Sequence, residues 1–169
     1  PFFNGWHSYF KVADISKTTL TQEQGVDDLV SLSQEKVAVV GAGRMARLLL
    51  QHLQSKGARS ITVVNRTVAK AEVLAKDFPD LVITCCGLDQ LDAQLASNTL
   101  LFTSTGADEP TIDRQRLEAL TRQARLMLVD IGVPRNISSD AADVSGTLSY
   151  DVDDLQEVVE RNVAARQQL

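Results

Sequence analysis

Val37-Ala38-Val39-Val40-Gly41-Ala42-Gly43-Arg44-Met45-Ala46 is the stretch on which the reading of this chain turns. Four consecutive apolar residues ended by glycine read as a strand buried on both faces. The residues after it form G-x-G-x-x-A and lead into a helical pattern. Met45, Leu48, Leu49, His52 and Leu53 recur on a helical period, and Gly57 stands where that helix should stop. In a strand–turn–helix unit each small residue has its own task. Gly41 permits the tight turn, Gly43 lets backbone approach a pyrophosphate, and Ala46 keeps the helix close to the strand. The first amides of the helix, at Arg44 and Met45, aim toward phosphate, and the helix dipole favours its charge. Ala42 lies between the two glycines in the same cradle.

The alternation continues on both sides of the turn's helix. Strands are expected at 61–64, 81–84, 100–103, 126–129 and 147–150, with helices near 44–56, 68–78, 88–95 and 113–122. In the 68–78 helix, Ala71, Leu74, Ala75 and Phe78 should face inward. Strands alternating with helices predict an α/β fold: a doubly wound, mainly parallel, Rossmann-like sheet with helices on both faces. The domain organisation expected is a leader or remnant of a preceding segment over 1–34, a nucleotide-binding domain over 35–152, and the start of a linking helix over 153–169. Asp153 is the expected cap of that last helix.

The second strand ends in Asn65-Arg66-Thr67. A domain selective for NAD usually places an acidic residue about 20 positions beyond the glycines, where it holds the ribose hydroxyls. Here that position is the neutral Asn65. Arg66 follows, and Lys70 lies one helical turn on. A carboxylate would repel a 2'-phosphate, whereas a guanidinium grips it through charge-assisted hydrogen bonds. These residues predict NADPH as the cofactor. Thr67 either adds a hydroxyl or caps the second helix. In open α/β sheets ligands sit beyond the carboxyl ends of the strands. The ends of the fourth and fifth strands, Ser104-Thr105-Gly106 and Ile131-Gly132, are therefore expected beside the nicotinamide.

The bulk numbers exclude several classes. The 169 residues fit one domain with an appended segment, and the formal net charge is -5. A mildly acidic chain carries no electrostatic footprint for nucleic acid or an anionic membrane. No apolar run approaches the roughly 20 residues of a membrane span, and no signal peptide is visible. The chain starts at Pro1 without an initiator Met, which is the expectation for a processed chain or a fragment. The two cysteines are adjacent, Cys85-Cys86, which fits neither a disulfide framework nor a zinc site. They read as small core residues in a reducing compartment. His7 and His52 carry no catalytic pattern, so no catalytic residue and no metal ligand is assigned. Asp151, Asp153 and Asp154 read as helix capping and dipole charges rather than a metal cluster. Phe2, Phe3, Trp6, Tyr9 and Phe10 crowd the leader, either as a remnant of another segment or as an aromatic docking element.

From Lys36 to Gln168 the sequence resembles the NADPH-binding domain of glutamyl-tRNA reductase. The matching stretches are Val39-Val40-Gly41-Ala42-Gly43-Arg44-Met45, Val64-Asn65-Arg66-Thr67, Thr103-Ser104-Thr105-Gly106-Ala107, Asp130-Ile131-Gly132-Val133-Pro134-Arg135-Asn136 and Tyr150-Asp151-Val152-Asp153-Asp154-Leu155. The Val-Pro-Arg and Tyr-Asp-x-Asp-Asp-Leu stretches are not general features of the fold. The resemblance implies hydride supply for reducing glutamyl-tRNA to glutamate-1-semialdehyde on the route to tetrapyrroles. It places Gly41 to Ala46 at the pyrophosphate, Asn65-Arg66-Thr67 at the 2'-phosphate, and Ser104-Thr105-Gly106 with Ile131-Gly132 at the nicotinamide side. It further implies that glutamyl-tRNA engages other domains of a homodimeric parent, that no membrane is involved, and that the setting is the cytoplasm or a plastid stroma. The family's nucleophilic cysteine belongs to an N-terminal catalytic domain, and Cys85 and Cys86 do not match its motif. The chain alone is thus expected to carry the electron donor without the acyl chemistry. Two alternatives stay open: an NADP-binding module like that of shikimate dehydrogenase, and a non-catalytic binding domain that kept the fold.

Overall fold

Six strands form one sheet in the order β3-β2-β1-β4-β5-β6, and every neighbouring pair runs parallel. They are β1 (Val37–Val40), β2 (Ser60–Val64), β3 (Val82–Cys86), β4 (Leu100–Thr103), β5 (Leu126–Asp130) and β6 (Thr147–Tyr150). The computed structural model describes residues 35–154 and 157. The expectations for 1–34, including the aromatic leader and His7, lie outside the described residues, as does most of the segment expected to form the closing helix.

The continuous apolar runs fall where both sheet faces are covered. All residues of β1, β4 and β5 are buried, whereas the edge strands β3 and β6 are not. Alternate side chains serve opposite faces. Val37 and Val39 join Leu49, Leu50 and Leu53 of α1 (Arg44–Ser55) and Ala71 and Leu74 of α2 (Val68–Ala75) in one core. Ala38 and Val40 join Leu91 and Leu95 of α3 (Leu91–Ser97) and Leu117 of α4 (Arg114–Glu118) in the other. Fully burying one such leucine contributes about 1.5–3 kcal/mol. Two cores, one per face, make the sheet doubly wound as expected.

Helix ends follow the local chemistry. Gly57 lies just past α1 with φ +95°, and its amide reaches Gln54 O at 3.1 Å while Ala58 N reaches Leu53 O at 3.0 Å. This pair of bonds closes a helix on a left-handed glycine. Asp113 caps α4, accepting from Arg116 N at 2.7 Å. Helices α2 and α4 are shorter than the expected 68–78 and 113–122. Phe78 is buried in its core even so, held one turn beyond the helix by its amide on Ala75 O at 3.0 Å. Ala75, expected inward beside it, is only half-buried. Strand β3 runs two residues beyond the expected end because Cys85 and Cys86 pair with Val63 and Val64.

The cap of the closing helix is corrected. Asp151, not Asp153, sits at the N-cap. Its Oδ1 accepts from Asp154 N at 2.9 Å and its own amide donates to Asp154 Oδ2 at 2.9 Å. This reciprocal arrangement satisfies two backbone donors at once. Arg135 Nη2 adds an ion pair to Asp151 Oδ2 at 2.5 Å, joining the loop after β5 to the helix start. No helix among the described residues is long and apolar enough to cross a membrane.

Candidate functional site

The chain leaves β1 for β2 and β3 on one side, then returns to β4 on the other. The switch opens a crevice at the carboxyl ends of β1 and β4, the place where such sheets take ligands. Gly41 closes its floor. It has φ +119°, and a Cβ there would stand 2.6 Å from the Ser104 carbonyl oxygen. Its amide donates to Val64 O at 2.7 Å, and Ser104 N donates to Val40 O at 2.9 Å. Gly41 thus draws the ends of β1, β2 and β4 together.

Gly43 differs. Its φ is -89°, open to any residue, and nothing lies within 4 Å of the Cβ it lacks. It is the N-cap of α1, with no side-chain cap and no acid in the first turn. The amides of Arg44, Met45 and Ala46 have no partner within the helix and are free for an anion. Ala46 itself is buried against the strand, Met45 packs half-buried on the core, and the Arg44 side chain is exposed. These three serve the site through backbone, not side chain.

A cavity of about 400 Å³ opens over this turn. Gly41, Ala42 and Gly43 line one wall, Asn65, Arg66, Thr67 and Lys70 the second, and Ser104, Thr105 and Gly106 the third, with Leu88, Ala107 and Thr111 completing it. The structure therefore brings together three segments far apart in sequence. Asn65 Nδ2 donates to Thr67 O at 2.8 Å, which shapes the turn after β2. Thr67 occupies the N-cap of α2 without a side-chain cap bond, so its hydroxyl is not spent on capping. The lining contains two cations and no carboxylate. Ser104 Oγ and Thr111 Oγ1 are buried and have no hydrogen-bond partner. Two orphaned hydroxyls, open space at Gly43 and Gly106, and an uncapped helix start fit a polar ligand carrying phosphates.

Ile131 and Gly132 do not line this cavity. Ile131 belongs to the core, and the space a Gly132 Cβ would need is filled by Asn136 Oδ1, 2.4 Å from that position. They stand behind the wall rather than in it. What sequence reading missed is the scaffold there. Asp130 is 2% exposed and accepts from Thr103 Oγ1 at 3.0 Å, Gly132 N at 2.9 Å, Asn136 N at 2.7 Å and Ile137 N at 2.8 Å. A signal existed. An aspartate closing a fully apolar strand must be buried, and a buried carboxylate requires several donors. Thr111 and Leu88 carried no such signal.

The profile of the shikimate / quinate 5-dehydrogenase family matches residues 23–158. The chain belongs to that family. Within it, the curated relatives are glutamyl-tRNA reductases, in keeping with the resemblance. The one from Synechococcus sp. (strain RCC307) is 93% identical over 156 residues, covering 92% of this chain and 35% of the relative. The glutamyl-tRNA reductase of Methanopyrus kandleri superposes with a TM-score of 0.71 at 26% identity, over 94% of this chain and 38% of that one. The nucleotide-binding domain of the Thermoplasma volcanium glutamyl-tRNA reductase superposes with a TM-score of 0.63, over 96% of this chain and 97% of that one, and at 17% identity it shows the shared fold alone. The chain spans about a third of the length of the curated relatives it matches. With the strand, glycine turn and helix intact, this dehydrogenase-family domain is of the kind that takes a nicotinamide cofactor.

The chain's two cysteines are half-buried in β3 and face opposite sides, Cys85 against the α1–α2 core and Cys86 against the other. Burial pushes both thiols up, with Glu72 and Cys86 adding to the effect at Cys85 and Asp89 at Cys86. A raised thiol is protonated at neutral pH, and only the thiolate is nucleophilic. Both should therefore react with iodoacetamide more slowly at pH 8 than the same thiols in guanidinium. Mass-spectrometric rates check this, and equal folded and unfolded rates would contradict it. His52 is half-buried on α1, and no group of His, Cys, Asp or Glu among the described residues is placed to hold a metal.

Proposed function

We propose that this chain is the NADPH-binding domain of a glutamyl-tRNA reductase. The observation that carries the reading is the pairing, in one cavity, of the glycine cradle with Arg66 and Lys70 and without a carboxylate. The backbone of Gly41 to Ala46 holds the pyrophosphate. Arg66, with Lys70 and the Thr67 hydroxyl, takes the 2'-phosphate, and Asn65 shapes that turn. Ser104, Thr105 and Gly106 face the nicotinamide end, backed by Ile131 and Gly132. The bound cofactor supplies a hydride. The chain's own residues orient it, and burial, which raises both thiols, makes Cys85 and Cys86 poor nucleophiles.

In the full protein, the glutamyl group of glutamyl-tRNA is reduced to glutamate-1-semialdehyde with a cysteine from another domain as nucleophile. Residues 153–169 begin the helix linking this domain to a dimerisation domain, and the parent is a homodimer. The working compartment is the cytoplasm, or a plastid stroma in a photosynthetic eukaryote.

Two measurements test the reading. NADPH fluorescence titration of the chain should saturate at micromolar cofactor, the range typical of such enzymes. The chain alone should leave glutamyl-tRNA unreduced, while the full-length reductase with NADPH produces the semialdehyde. Absence of binding at near-millimolar NADPH would leave a fold without its ligand, and NADP-dependent oxidation of shikimate would move the assignment to that dehydrogenase.

A further inference from the structure

We propose that Asn136 is a positioning residue that sets the Thr105–Ala107 wall of the cavity against the nicotinamide end of the cofactor. The proposal rests on reading this cavity as an NADPH site. Asn136 is wholly buried and does not line the cavity. Its Oδ1 accepts from Thr105 N at 2.8 Å. Its carbonyl accepts from Thr111 N at 2.8 Å and Ile112 N at 3.2 Å. One residue therefore grips the segment after β4 at both ends, and that segment supplies one whole wall of the site.

The grip is anchored from below. Asn136 N donates to Asp130 Oδ2 at 2.7 Å, and the same carboxylate is tied to β4 by Thr103 Oγ1 at 3.0 Å. The backbone of Asn136 cannot shift without disturbing two adjacent strands, and its Nδ2 donates to Pro134 O at 3.4 Å and Thr105 O at 3.5 Å. Above it, Thr105 Oγ1 accepts from Ala107 N at 3.3 Å, which folds the wall so that Gly106 presents open space to the cavity. Gly132 completes the device by omission, since any Cβ there would strike Asn136 Oδ1. Its glycine is needed by the carboxamide rather than by the ligand.

The adenosine end is built on β2, on the far side of β1 from β5. A positioning role at the β4 wall and a general structural role thus part company in one measurement. NADPH and adenosine 2',5'-bisphosphate share the adenosine end, but only NADPH reaches the β4 wall. In Asn136→Ala, NADPH should bind about tenfold more weakly, the loss of roughly one well-placed contact. Adenosine 2',5'-bisphosphate should stay within about twofold. Gly132→Ala should give the same pattern, because its methyl displaces the carboxamide. Hydrogen exchange should show the Thr105 amide deprotected in both variants while Leu101 in β4 stays protected. Asn136→Asp keeps the acceptor for Thr105 N but turns a second oxygen toward the Thr105 and Pro134 carbonyls, so it should restore only part of the Thr105 protection and the NADPH affinity. Equal weakening of both ligands in Asn136→Ala, or unchanged Thr105 protection, overturns the proposal. If the unmutated chain binds neither ligand, the cofactor reading falls and the proposal falls with it.

Discussion

Replacing Arg66 with alanine is expected to weaken NADPH binding by about tenfold to hundredfold while NADH affinity stays within about twofold. Arg66 lies exposed on the cavity wall at the end of β2 and takes part in no ion pair among the described residues. Among the described residues, no carboxylate holds its guanidinium away from a phosphate. A charge-assisted hydrogen bond to an ionised group contributes about 1.5–3 kcal/mol, and NADH lacks the phosphate that would receive it. Exposure allows screening, so the NADPH preference should shrink as salt rises from low to near-molar concentration. Arg66→Lys keeps charge but loses the planar fork and should fall between the wild type and alanine. Paired fluorescence titrations of both cofactors measure all of this. Equal affinity for NADPH and NADH in the unmutated chain would sink the assignment of Arg66.

The second large effect separates the two glycines of the turn. Gly41→Ala forces a side chain onto φ +119° and into contact with the backbone carbonyl of Ser104, a residue fixed beside β1 by its amide bond to Val40 O. Backbone strain of about 1–3 kcal/mol adds to overpacking of about 1–3 kcal/mol. A Tm loss on the order of 10 °C should follow. Gly43→Ala meets nothing within 4 Å and keeps an ordinary φ, so its Tm should change by no more than about 2 °C. Its methyl instead enters the space kept for pyrophosphate, and NADPH affinity should fall more than about tenfold. Differential scanning calorimetry and cofactor titration on the two variants make a crossed test. A Gly43→Ala variant with wild-type affinity would remove the pyrophosphate from this turn. An unaffected Tm in Gly41→Ala would remove the steric argument.

The elements of this fold were legible because their signals are local. The runs 37–40, 100–102 and 126–129 are apolar on consecutive positions, which is the pattern of a strand covered on both faces. Gly57 beyond α1 and Asp113 before α4 mark helix ends by conformations and bonds that reach no further than a few residues. Even so, competing caps misled at the close. Asp151, Asp153 and Asp154 are all acceptable cap residues, and Asp151 takes the position through its reciprocal bonds with Asp154 and its ion pair with Arg135.

The sequence by itself determined the alternation of strands and helices, the glycine turn, and a second-strand end that carries cations where a carboxylate would select NAD. Each of these follows from backbone preference or from charge, which a residue carries wherever it is placed. Only the tertiary structure decided that Gly41 is held by Ser104 while Gly43 is left open, and that Asn136 rather than Gly132 governs the far wall. These depend on which strand ends meet. The crossover from β3 to β4 sets Gly41 beside Ser104, the pairing of β4 with β5 sets Thr105 beside Asn136, and no local pattern within either segment encodes the other's distance.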